Sequence, residues 1–106
     1  MIDLDRIEGF DWDEGNSRKS ADKHAASPAE AEQIFFTAPP LISEDVKHSA
    51  SEPRYHALGV TEAGRPLHVT LTVRFGTKIR VISARDMNAR ERRAYAQKIE
   101  TDSELP

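Results

Sequence analysis

The chain has 106 residues, 38% of them apolar and 31% charged, which is one domain's worth of sequence with a small core inside a strongly ionic surface. The absence of cysteine excludes disulfides, thiolate metal sites and thiol nucleophiles. The formal net charge of −3 hides an asymmetry: residues 1–52 carry five bases against twelve acids, net −7, and residues 53–98 carry ten against three, net +7.

The opening Met1 to Arg6 is acidic and lacks the apolar core of a signal peptide, and no later run approaches the length of a membrane helix. A cytoplasmic protein is expected, as one domain over residues 1–106 with residues 1–8 and 101–106 as flexible ends. Gly9 to Trp12 is short and aromatic, an edge strand or core anchor. The polar stretch to His24 has helical character from Glu14 onward. Ser27-Pro28-Ala29-Glu30 combines an N-cap serine, a proline where no N–H is needed and a glutamate that closes a capping box, so a second helix starts there. Ala31, Ile34 and Phe35 give it a buried stripe, and Pro39-Pro40 ends it before a short strand at Leu41-Ile42.

From Arg54 the period of the apolar residues changes to two. Tyr55 to Thr61, Leu67 to Arg74 and Lys78 to Ala84 read as a β-meander, with turns at Glu62 to Arg65 and Gly76-Thr77. Asn88-Ala89-Arg90-Glu91 repeats the capping-box logic and opens a last helix running to about Glu100, with Tyr95 and Ile99 facing the sheet and Arg92 and Arg93 diverging around the axis. The fold class is α+β: an antiparallel meander, two N-terminal helices and one C-terminal helix.

Arginine dominates the basic half, and its planar fork suits phosphate. Arg74, Arg80 and Arg85 sit around one turn and one strand end, as phosphate clamps or as partners of structural carboxylates such as Asp86 and Glu91. Glu52-Pro53-Arg54-Tyr55 offers an acid, a guanidinium and a phenol, as an acid/base site or as a salt-bridged loop end with Tyr55 in the core. His24 beside Lys23 is a tunable base. Nothing in the spacing of His24, His48, His56 and His68 indicates a metal site, and no cofactor is implied.

The stretches Phe10 to Glu14, Lys23-His24, Ala31 to Phe36, Glu52 to Gly59, Arg74, Lys78 to Arg85 and Glu91 to Tyr95 together resemble the BrnT family of toxins, in the family's order and over most of the chain. The resemblance implies a RelE-like ribonuclease fold, a type II toxin-antitoxin system and an RNA substrate. It also implies a BrnA-like ribbon-helix-helix antitoxin in a complex of two toxins and two antitoxins, with operator DNA reached only through that complex. The chain departs from the family pattern at Ala25, where glycine is usual, and at Val73, where an acid is usual. On this footing Arg80 and Arg85 are expected as catalytic phosphate clamps, with Lys23, His24 or Glu52 as base or acid. Arg74, Arg54, Lys78, Arg92, Arg93 and Tyr95 are expected to bind RNA. The alternative is a catalytically inactive member that binds antitoxin and acts as a corepressor module. A generic phosphate-binding α+β module is the third reading.

Overall fold

The computed structural model describes residues 2–19, 26–48 and 52–104, with the backbone alone for residues 18, 19 and 102–104. The meander is β3 (Arg54–Val60), β4 (Pro66–Arg74) and β5 (Lys78–Asp86). Before it come β1 (Gly9–Phe10), α1 (Glu14–Lys19), α2 (Pro28–Thr37) and β2 (Leu41–Glu44), and after it α3 (Ala89–Glu104). One five-stranded sheet has the order β1-β5-β4-β3-β2.

The sheet is mixed, not purely antiparallel as expected, because β1 runs parallel to β5 with Gly9 opposite Lys78. Two residues are too few to carry a period-two pattern. The direction of β1 follows instead from where Phe10 docks, with its ring 5.8 Å from that of Phe35 and 6.0 Å from that of Phe36 on α2. The start of the chain, expected as a loose end, forms a 3-10 turn at Leu4–Arg6, and Ile2, Leu4 and Ile7 pack against the core. At the other end α3 continues through Glu104, beyond the expected Glu100.

The expected capping box of α2 is present: Ser27 Oγ accepts from the Glu30 N–H at 3.2 Å and Glu30 Oε1 accepts from the Ser27 N–H at 3.1 Å. Its stripe buries Ala31 and Ile34 against Tyr55, Ala57, Leu67, Val69, Leu71, Ile79 and Val81. Gly59 makes this approach possible, since a Cβ there would lie 2.8 Å from Ile34 Cβ. Alternate residues of the strands therefore face α2, and the others form a second, polar face.

The same alternation turns Leu58 away from α2, to the face where it packs with Met87, in the link after β5, and Tyr95 of α3. Thus α3 covers one end of the polar face and leaves the rest open. Ile99, expected to pack on the sheet beside Tyr95, is 52% exposed, whereas Tyr95, one turn earlier, is 6% exposed.

Candidate functional site

Register decides which arginines share a face. Arg54 lies opposite Thr72, and Thr72 opposite Arg80, so one row crosses β3, β4 and β5 on the polar face. Arg74 lies opposite Lys78 one step closer to the turn. Arg80 and Arg85 are an odd number of residues apart and in a regular strand would face opposite sides. A bulge corrects this: Leu71 pairs with Val81 and Thr70 with Ser83, so Ile82 is the extra residue and Arg85, opposite His68, returns to the face of Arg80.

His48, Glu52, Arg54, Thr72, Arg74, Arg80 and Ile82 line an open groove of about 290 Å³ on this face. Two of its arginines, Arg74 and Arg80, are held by carboxylates. Arg74 Nε donates to Glu52 Oε2 at 2.9 Å, and the same oxygen lies 3.5 Å from the Thr72 hydroxyl. Arg80 reaches Asp13 Oδ2 at 3.0 Å and Asp11 Oδ2 at 3.4 Å, with its side chain 18% exposed. Asp13 also accepts from the Gly15 and Asn16 N–H groups at the start of α1, and the hydrogen bond from Arg80, ahead of that from Asn16, holds its carboxyl below the ordinary carboxylate range. Asn16 in turn donates to Asp11 O and Val81 O, fastening α1 to the edge of the sheet.

Beyond the bulge a second concavity is lined by His56, Leu58, His68, Arg85, Arg90 and Glu91, among others. Arg85 is paired to Glu91 through both of its terminal nitrogens. The rings of His56 and His68 lie 4.8 Å apart. Burial, followed by the positive charge of Arg85, pushes the His68 imidazole below its ordinary value of 6.5.

Three of the four histidines thus meet on the polar face, a grouping the sequence reading missed. The signal was present in the alternation, since His56 is in frame with Arg54, and His68 with Thr70, Thr72 and Arg74. Asp45 was missed as well. It accepts from His48 Nδ1 and from His56 Nε2, each at 2.9 Å.

Among the expected site residues, Arg54, Arg74, Arg80 and Glu52 are brought together in one groove, and Lys78 lies opposite Arg74 at the start of β5. Arg85 stands in the adjoining concavity. Arg92 donates to Met87 O at 2.7 Å, and Arg93 is exposed on α3. Tyr95, expected to contact RNA, is only 6% exposed and packs with Leu58 and Met87, so its ring anchors α3 to the sheet. Tyr55 is a core residue, and Glu52 ends its loop in a salt bridge with Arg74. Lys23 and His24 lie outside the described residues.

A family model described as "Ribonuclease toxin, BrnT, of type II toxin-antitoxin system" matches residues 12–91. No curated protein matches the chain.

Proposed function

The chain belongs to the BrnT family of ribonuclease toxins of type II toxin-antitoxin systems, and on that footing we propose that it cleaves RNA in the groove of Arg54, Arg74 and Arg80. The observation that carries this reading is the row of two arginines across β3, β4 and β5, with Arg74 beside it and a carboxylate and an imidazole in the same concavity. A phosphodiester seated there has fixed positive charge on more than one side. As the ribose 2′-oxygen attacks phosphorus, charge accumulates on the phosphorane oxygens, and guanidinium groups that stay charged at any working pH stabilise it.

This chemistry needs no metal ion: it takes a base for the 2′-hydroxyl, cations for the phosphorane and a proton for the leaving 5′-oxygen. Arg80 enters the groove already oriented, because Asp11 and Asp13 hold its guanidinium from outside. Arg85 and Arg90 extend the cationic track past the bulge, and Arg92 and Arg93 on α3 add long-range attraction for the RNA backbone. Glu52 and the Lys23-His24 pair stand as candidate proton-transfer groups. The neutralising partner is a BrnA-like ribbon-helix-helix antitoxin, in a two-plus-two complex that meets operator DNA through the antitoxin, in the cytoplasm.

A second reading is favoured by one observation, that Arg80 and Arg85 are each engaged by carboxylates of the chain itself. In that reading the arginines are structural, and the chain binds antitoxin as a corepressor without cleaving RNA. Induction in cells separates the two. Growth arrest that Arg80→Ala or Arg85→Ala abolishes, with antitoxin capture intact, supports the ribonuclease. No arrest and no RNA cleavage by the wild type leaves the binding module.

A further inference from the structure

The groove contains a base that the sequence reading passed over. His48 sits in the 3-10 turn Val46–His48, where β2 has ended and the chain returns toward β3. Its backbone N–H donates to Asp45 Oδ1 at 3.2 Å, and its ring Nδ1 lies 3.1 Å from Oδ1 and 2.9 Å from Oδ2 of the same carboxylate. The Asp45 side chain is only 11% exposed. Burial works against its charge, but hydrogen bonds from His48 and then His56 overcome this and hold the carboxyl below its ordinary range.

An ionised carboxylate only accepts, so His48 carries its proton on Nδ1. In the neutral ring Nε2 is then a lone-pair acceptor, and His48 has no other hydrogen-bond partner among the described residues. The ring is 63% exposed and lines the groove with Arg54, Thr72, Arg74 and Arg80. The second ring on Asp45 is placed differently. His56 gives its Nε2 proton to Asp45, and its Nδ1 faces the Thr70 hydroxyl at 3.2 Å, so both of its nitrogens are occupied.

We propose that His48 is the general base of RNA cleavage and that Asp45 is its positioning residue, an assignment that rests on the ribonuclease reading above. His48 Nε2 takes the proton of a ribose 2′-hydroxyl. The 2′-oxygen forms its bond to phosphorus, the bond from phosphorus to the 5′-oxygen breaks, and the leaving oxygen takes a proton from water. The products are a 2′,3′-cyclic phosphate and a 5′-hydroxyl, and the proton on His48 returns to solvent. Glu52, the other base in the groove, already holds Arg74 and the Thr72 hydroxyl on one oxygen. An imidazole is also the better proton acceptor at neutral pH.

The test uses the full chain and a fluorescent single-stranded RNA oligonucleotide, with its 2′-O-methyl counterpart to measure binding. His48→Gln is expected to slow cleavage by about 10²–10⁴-fold while binding stays within about twofold. It also removes the acidic limb of the rate-against-pH profile, and free imidazole restores cleavage to His48→Ala. Asp45→Asn slows cleavage less and shifts that limb. If the wild type cleaves and His48→Gln keeps its rate and acidic limb, the base assignment fails and the ribonuclease reading stands. A slow His48→Gln that keeps the limb, with no imidazole rescue of His48→Ala, equally overturns the assignment by making the residue structural. A wild type that leaves the RNA intact removes the ribonuclease reading and the base with it.

Discussion

The guanidinium of Arg85 meets the carboxylate of Glu91 end to end, Nη1 to Oε1 at 2.8 Å and Nη2 to Oε2 at 3.0 Å, and so ties the end of β5 to the first turn of α3. Glu91 also closes the capping box of that helix, accepting from the Asn88 N–H at 2.9 Å while its own N–H donates to Asn88 Oδ1 at 2.8 Å.

The Arg85 hydrogen bond, ahead of the Asn88 N–H, holds the Glu91 carboxyl down from 4.5 to about 2. Its folded value is the depressed one, so this contribution is complete above 4.5 and is lost as the pH falls toward 2. Glu91→Gln is expected to destabilise the fold by about 1–3 kcal/mol at neutral pH and to flatten the stability profile in that acid window. Urea melts of both proteins from pH 7 downward check it.

His68 acts at a higher pH. Buried and facing Arg85, Glu91 and His56, it is kept neutral, with the unfolded chain taking up its proton first as the pH falls below 6.5. Stability is therefore present above 6.5 and declines below it. His68→Phe is expected to remove that decline, read as a thermal midpoint that no longer falls between pH 7 and pH 5.5.

The turn between β4 and β5 carries a local strain. Phe75 has φ +58° and Gly76 φ +69°, and the Phe75 side chain is 82% exposed, so no packing offsets its left-handed backbone. Phe75→Asn is expected to stabilise the chain by about 0.5–1 kcal/mol. A higher denaturant midpoint with an unchanged slope is the result that checks it; a lower midpoint speaks against strain at this position.

The elements were readable wherever a local rule acts. The proline and serine of α2, the asparagine and glutamate of α3 and the alternation from Arg54 to Arg74 each encode their element within a few residues. What the sequence concealed is set by contacts across the chain. The parallel direction of β1 depends on Phe10 meeting Phe35, and the common face of Arg80 and Arg85 depends on a bulge at Ile82 that no turn residue announces. Arg74 and Arg80 were expected to converge with Arg85; they line one groove together with Arg54, which the sequence placed in a separate loop-end group, while Arg85 stands in the adjoining concavity. Asp45 was missed, because its two histidine partners come from either side of a loop and meet only when β2 pairs with β3.

The central claim, that RNA is cut in the arginine-lined groove of the open sheet face, is tested most directly by the initial rate of cleavage of a defined single-stranded RNA by antitoxin-free protein. Wild type is compared with the Arg54→Ala, Arg74→Ala double variant. The expected result is fragments ending in 2′,3′-cyclic phosphate and 5′-hydroxyl from the wild type, and a rate lower by roughly 10²-fold or more from a double variant that remains folded. Intact RNA with the wild type, or equal rates from the two proteins, contradicts the claim.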